Sequence, residues 1–313
     1  VRAKQAAWLS PIASFFVIIP FYLMLDKLYK KYKDASMMNI IYDVTGLAAG
    51  KIIGILYVLW FVIIQSVFTR YYAERLVSSI FPSIDIAFFI VVMLAAVAFM
   101  LHSGIVVIAR MNEIIFAITA IVFCFLIAFL LPKFEVRKLT PISYLDIIPV
   151  LKSSLGVASI WSYMFYLFFF SDQINDKENI KKMGFQATIF ITIANVLMIA
   201  SAVGTYGYSV VERLPIPFLA AVKQISIFNT LERIESILVV LWITSDFILE
   251  AAFTYAQLDI IKSLFDLSDT RPLINIYLAF IFLFSLFMTR SRSELEVFSV
   301  SIATYANIFY GLV

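Results

Sequence analysis

The sequence predicts an all-α polytopic membrane protein arranged as two five-helix repeats, with the first helix of repeat one absent from this chain. Three observations predict it. The 313 residues are 63% hydrophobic and only 14% charged, too apolar for a soluble domain of this length and expected of a chain with many bilayer spans. Apolar runs bounded by charge or proline recur along the whole chain. The hexapeptide Ile55-Leu56-Tyr57-Val58-Leu59-Trp60 returns, nearly unchanged, as Ile237-Leu238-Val239-Val240-Leu241-Trp242, 182 residues later.

The apolar runs give nine candidate spans: Trp8–Leu28, Ile52–Ile80, Ile84–Ile108, Asn112–Leu131, Ser153–Ser171, Met183–Tyr208, Ile234–Ile261, Leu273–Met288 and Leu295–Val313. Pro11 suits the first turn of its helix and Pro20 should kink the same helix. The seventh span has a clear start: Asn229 or Thr230 supplies a cap, and Glu232 and Glu235 place negative charge where the helix dipole favours it. Two linkers are helical in their own right. Asp34–Gly50, with Ser-Met-Met-Asn-Ile-Ile-Tyr-Asp-Val, and Val211–Phe228, with Pro-Ile-Pro-Phe-Leu-Ala-Ala-Val, are moderately apolar and too short to span, which suits helices lying at the interface. Pro132, Pro141 and Pro149 break up the connection from Lys133 to Val150.

The 182-residue offset carries the second span onto the seventh, the third onto the eighth and the fourth onto the ninth. It also carries the linker 34–50 onto 216–232 and the first span onto most of the sixth; the fifth span alone has no partner. The simplest reading is one transmembrane domain over 1–313, with residues 1–132 as helices two to five of repeat one and 133–313 as a connecting segment plus repeat two. An odd number of helices per unit inverts one repeat relative to the other, the layout of a secondary-transporter fold. The dense Lys27–Lys33 cluster favours its own side as cytoplasmic.

Several chemistries are excluded. The net charge of +3 is small and spread through loops, so no nucleic-acid partner is implied. One cysteine, Cys124, and one histidine, His102, cannot build a disulfide or a metal cluster. No phosphate-binding glycine loop and no nucleophile–His–acid arrangement is present. The chain reads as a non-enzyme, with no metal and no cofactor.

In inverted-repeat transporters the first helix of each repeat is broken near the midplane, and its exposed backbone groups hold the ligand. The fifth span opens with Ser153-Ser154-Leu155-Gly156-Val157-Ala158-Ser159, where small residues allow either a close ligand approach or close helix packing. The third helices of the two repeats would flank that site. Val58, Phe61, Val62 and Gln65 form one face, Val240, Thr244 and Ile248 another, with Ser245 beside it. The Thr244 and Ser245 hydroxyls suit a cation or an amino-acid head group, or equally bonds to their own helix carbonyls. The expected ligand site is therefore Val58, Phe61, Val62, Gly156, Val157, Ser159, Thr244, Ser245 and Ile248. Asp246 and Glu250 lie one turn apart inside a span. They fit a proton or cation site, or pairing with a buried arginine or a partner subunit. Arg70 and Glu74, spaced i,i+4, pair with each other. Trp60 and Trp242 fit pocket walls, packing or a lipid-facing role.

Several stretches resemble the spore germination permease family, the GerAB-like B subunits of nutrient germinant receptors. They are Ala7-Trp8; His102-Ser103-Gly104-Ile105-Val106-Val107-Ile108-Ala109-Arg110 with Glu113; and Leu231-Glu232-Arg233-Ile234-Glu235-Ser236 running on to Trp242. Ala6 departs from the pattern, since the family tends to carry an aspartate there. The resemblance implies an amino acid–polyamine–organocation transporter fold and the binding of a small nutrient, typically an amino acid. It also implies a complex with a membrane-embedded A subunit and a lipoprotein C subunit in the spore inner membrane. Proton- or cation-coupled amino-acid transport is the rival reading. Against it, the fourth span carries no internal lysine of the kind some proton-coupled relatives of this fold use.

Overall fold

A computed structural model describes residues 3–32, 35–79, 81–173, 179–225, 234–289 and 292–312. Among them every regular element is helical. In chain order these are α1 (Ser10–Lys31), α2 (Met37–Thr45), α3 (Leu47–Ser79), α4 (Ile86–Ser103), α5 (Ile105–Leu130), α6 (Ile147–Trp161) and α7 (Tyr163–Tyr166). Then come α8 (Ile180–Tyr206), α9 (Tyr208–Val211), α10 (Pro217–Val222), α11 (Glu235–Phe265), α12 (Arg271–Phe287), α13 (Arg292–Phe298) and α14 (Thr304–Leu312). Among the described residues seven helical stretches are long and apolar enough to cross a membrane: α1, α3, α4, α5, α8, α11 and the stretch Tyr144–Tyr166 around α6. The chain is thus a multi-pass, all-helical membrane protein, and large apolar side chains such as Phe16, Phe88, Phe99 and Ile121 stand exposed on these helices, as lipid contact requires.

Seven of the nine expected spans therefore have a counterpart of full length among the described residues. The eighth is α12, at 17 residues a shorter apolar helix. The ninth is not one regular helix, because a π-helical turn, Ser299–Ala303, separates α13 from α14. Two boundaries move as well. The third span ends at Ser103, because Gly104 has φ +89° and closes the helix, its N–H bonding the Leu101 carbonyl; the charge at Arg110 interrupts nothing, and α5 runs through it. The fifth span is regular through Gly156 and turns at Ser162, past the small-residue stretch where the break was expected. Pro20 lies inside α1, which continues to Lys31. The expected caps Asn229 and Thr230, with Glu232, fall outside the described residues. The first interfacial linker folds as α2, capped by Ser36, whose hydroxyl accepts from the Asn39 N–H at 3.3 Å; the second contains α10, opened by Pro217.

The chain divides into two compact units. Unit 1 contains residues 1–31, 116–162 and 176–242. In it α1 packs on both α6 and α8. The Ser14 hydroxyl ties α1 to α6 by donating to the Ser154 carbonyl at 2.8 Å. The loop after α5 is pinned to the end of α8, where the Glu135 N–H donates to the Gly204 carbonyl at 3.1 Å and Lys138 Nζ to the Thr205 carbonyl at 2.6 Å.

Unit 2 contains residues 32–115, 163–175 and 243–313. Its core is aromatic: Phe61 packs against Tyr166, Phe253 and Phe169 at ring separations of 4.6, 5.8 and 5.9 Å. Gly54 permits close packing at one end, since a Cβ there would lie 2.8 Å from both Leu264 on α11 and Met38 on α2.

Candidate functional site

Two long helices of unit 2 build its most polar interior. α3 and α11 lie side by side and antiparallel, as the contacts between them show. Val58 meets Gln257, Gln65 meets Thr254, Thr69 meets Glu250 and Arg75 meets Asp246, so numbers rise on one helix as they fall on the other. Long apolar sequences make both helices. The few polar residues they carry have nowhere to solvate except against each other.

The seam is continuous. Gln257 Nε2 donates to the Val58 carbonyl at 2.8 Å, and Gln65 Nε2 to Thr254 Oγ1 at 2.7 Å. The Thr254 hydroxyl donates to the Glu250 carbonyl at 2.8 Å, and Thr69 Oγ1 to Glu250 Oε1 at 3.0 Å. α12 closes the layer: the Tyr277 hydroxyl meets Gln65 Oε1 at 2.5 Å and also contacts Gln257 Oε1. Gln65, Thr69, Glu250, Thr254 and Gln257 are all buried, as is Tyr277. At one end Arg75 Nη1 and Asp246 Oδ2 form an ion pair at 2.8 Å, and Arg70 pairs with Glu74 at 3.2 Å. Asp246 therefore pairs with an arginine of its own chain. Glu250, one turn on, does not, and its Oε2 has no hydrogen-bond partner.

The expected ligand residues distribute unevenly. Phe61 is fully buried in the aromatic core and Val58 gives its carbonyl to Gln257, while Val62 is half-buried. Ile248 is buried, Thr244 half-buried and Ser245 exposed. The antiparallel register does not bring these two trios to one level. Val58 lies against Gln257, which is 13 residues along α11 from Thr244, about 20 Å of helix. Gly156, Val157 and Ser159 belong to unit 1. There Ser159 donates to the Gly156 carbonyl at 2.8 Å, and a Cβ on Gly156 would meet no atom within 4 Å. Trp60 packs in the core: its indole N–H donates to Asn307 Oδ1 at 3.1 Å and its ring stacks on Tyr310.

Sequence reasoning named Gln65, Asp246 and Glu250 but missed Thr69, Thr254, Gln257 and Tyr277. The available signal was the presence of carboxamides inside two different spans, each of which needs a partner in a bilayer. A polar cleft of about 400 Å³ also went unforeseen. It opens where α4 passes to α5 at Gly104, and His102, Asp259, Lys262, Asp269 and Arg271 line it.

A family model described as "Spore germination protein" matches residues 1–293, nearly the whole chain and both units. The chain belongs to the spore germination permease family. Three relatives from Bacillus subtilis (strain 168) agree. Spore germination protein YfkT is 25% identical over 77% of this chain and 66% of its own length. Spore germination protein KB is 20% identical over 81% of this chain and 69% of its own, and spore germination protein A2 is 22% identical over 89% and 76%. The chain thus spans a little under two thirds of YfkT. The His102–Arg110 stretch that carries the family resemblance forms the corner at Gly104 and one wall of the polar cleft.

Proposed function

We propose that this chain is a nutrient-sensing subunit of a spore germinant receptor, embedded in the spore inner membrane. It binds an amino acid and signals to a membrane-embedded A subunit and a lipoprotein C subunit. The family match over residues 1–293 carries this reading. In such a receptor the nutrient need only prefer one conformation of the chain for its binding to be passed on.

The α3–α11 seam supports the inverted-repeat reading beneath it. At the 182-residue offset the counterpart of Thr69 is Ala251, which adjoins Thr69's own bonding partner, Glu250. Two helices related by a two-fold axis in the membrane plane cross at matching positions in this way. For the ligand we favour the Thr244, Ser245 and Ile248 face of α11 over the Val58, Phe61 and Val62 face of α3, since Phe61 is locked among aromatic rings and the Val58 carbonyl is taken. Gly156 and its neighbours Val157 and Ser159 on α6 are a separate candidate surface.

The test is nutrient-triggered germination of spores carrying the full-length protein with Thr244→Ala, Gly156→Leu or Val58→Ala, across a panel of amino acids. Protein level and receptor assembly are followed in parallel. Thr244→Ala is expected to shift the dose-response about tenfold, the effect of losing roughly 1.4 kcal/mol of binding, while Val58→Ala leaves it in place. Assembled Thr244→Ala and Gly156→Leu receptors that respond as wild type would remove the ligand from both surfaces. A second reading, proton- or cation-coupled amino-acid transport, draws on the unpaired carboxylate oxygen of Glu250 inside a span. Uptake driven by an ion gradient in vesicles would favour it.

A further inference from the structure

The seam between α3, α11 and α12 buries a carboxyl, that of Glu250, among the neutral oxygens of amide and hydroxyl side chains. Glu250 is 1% exposed; its Oε1 accepts from Thr69 and its Oε2 has no hydrogen-bond partner. The two carboxamides are oriented by what they donate to, Gln65 to Thr254 and Gln257 to the Val58 carbonyl. Thr254 has already given its proton to the Glu250 carbonyl. Both carboxamide oxygens therefore turn to the Tyr277 hydroxyl, which has one proton for the two of them. Ser66, one turn before Thr69 on the same face of α3, has a buried hydroxyl that also lacks a partner.

The positive groups near this layer are committed elsewhere. Arg75 pairs with Asp246 and Arg70 with Glu74. Among the described residues no lysine or arginine forms an ion pair with Glu250. A buried carboxylate within a span is costly until something positive satisfies it.

We propose that Glu250, with Gln65, Thr69, Thr254, Gln257 and Tyr277, forms a binding site for one monovalent cation. The ion is a proton on the Glu250 carboxyl, or a sodium or potassium ion held by Glu250 Oε2 and the neutral oxygens around it. One carboxylate among neutral oxygens balances one positive charge, whereas calcium sites gather several carboxylates. Because the donors come from three helices, an occupied site ties α3, α11 and α12 together, and an empty one leaves the seam looser. The site rests on the contacts of unit 2 alone and stands or falls separately from the nutrient reading.

The titratable groups that act on this position are Asp246 on α11 and Tyr277 on α12; beyond them, at the same end of the seam, stand Arg70, Glu74 and Arg75 on α3. The four charged ones form two internal pairs, so Glu250 is the group whose charge depends on the ion.

The experiment is thermal unfolding of the purified full-length protein in detergent, wild type beside Glu250→Gln. It is run in sodium, potassium and choline chloride at equal ionic strength, and from weakly acidic to weakly alkaline pH. If the ion is sodium or potassium, the wild-type midpoint rises by several degrees in that salt over choline. If it is a proton, the midpoint is indifferent to the salt and falls as pH rises, and infrared spectra show a carboxylic-acid band that Glu250→Gln removes. Either response should flatten in Glu250→Gln. Should that variant fail to fold, Thr69→Val, which takes away the Thr69 bond to Oε1, is expected to displace the ion or pH titration several-fold. A wild type that ignores both salt and pH overturns the proposal. So does a Glu250→Gln variant that keeps the full response, or a Thr69→Val titration that does not move.

Discussion

Helix α8 in unit 1 and the α3–α11 pair in unit 2 carry similar polar residues and use them in opposite ways. On α8 the side chains turn back on their own helix, Thr188 meeting Tyr22 of α1 as well. Thr188, Thr192 and Thr205 each donate to the carbonyl four residues earlier at 2.7 Å, Asn195 does so at 2.8 Å, and Ser201 reaches the Met198 carbonyl at 3.1 Å. In α3 and α11, Gln65, Thr69 and Gln257 reach across to the neighbouring helix instead. A back-bonded hydroxyl is satisfied wherever its helix goes, in lipid or against protein. A cross-helix bond is satisfied in one register only. The α8 residues thus let a polar sequence survive in a bilayer, whereas the seam residues fix which helices meet and at what level.

The comparison is sharpest where most partners are stranded at once. Gln65→Leu removes the donor to Thr254 and one acceptor of Tyr277. It should destabilise the protein by about 1–3 kcal/mol, since interhelical hydrogen bonds in membranes run from about 0.6 to 1.7 kcal/mol each. Thermal or denaturant unfolding in detergent measures it, and a change below about 0.5 kcal/mol would mean that the layer is not structural. Arg75→Leu comes next. It leaves Asp246 without its cation, and a fully buried case would cost about 3–5 kcal/mol. Because the two side chains are 25% and 20% exposed, about 1–2 kcal/mol is expected here. Adding Asp246→Asn to Arg75→Leu should recover most of that loss, and a double variant no better than Arg75→Leu alone would deny the coupling.

How much of this could be read beforehand follows the same division. Composition and apolar runs locate the long helices, because lipid imposes one requirement along their whole length. Charge proved weaker punctuation than backbone geometry. Arg110 sits inside α5 without interrupting it, while Gly104, with φ +89°, separates α4 from α5. The Arg70–Glu74 pair was legible because its partners are local, one helical turn apart. The Gln257 carboxamide signals only that it needs a partner, and Tyr277 signals nothing, because single polar residues in apolar helices leave no periodic trace and their partners lie on other helices. The two candidate trios, Val58, Phe61 and Val62 on α3 and Thr244, Ser245 and Ile248 on α11, are matched in the sequence only by the 182-residue offset. Antiparallel packing brings matching positions together only near Thr69 and Glu250 and carries all others apart.

Thr192→Val tests the other side of the comparison. It deletes a hydroxyl that bonds only the Thr188 carbonyl and keeps the branched shape. Its unfolding should change by less than about 0.5 kcal/mol, and a loss as large as that of Gln65→Leu would erase the distinction between the two helices' polar residues.

The smallest effect is expected outside the membrane, at the loop pinned to α8. Glu135 sits between Lys138, at 2.8 Å, and Arg137, at 2.5 Å. Hydrogen bonds from Lys138 first, and then Arg137, hold its carboxyl below the ordinary glutamate range. A carboxyl lowered on folding supports the folded form above its unfolded titration range, and that support is lost as pH falls through the lowered range. Solvent screens such a pair, so the loss should be slight and should shrink in high salt. Amide hydrogen exchange of the loop, compared between neutral and mildly acidic pH, is the sensitive measurement. Protection of the Glu135 N–H, which bonds the Gly204 carbonyl, should weaken on acidification in wild type and be independent of pH in Glu135→Gln once the intrinsic exchange rate is corrected. Acid-weakened protection in Glu135→Gln as well would trace the loop's attachment to the backbone bond and to Lys138, whose Nζ also holds the Thr205 carbonyl, and not to the carboxylate.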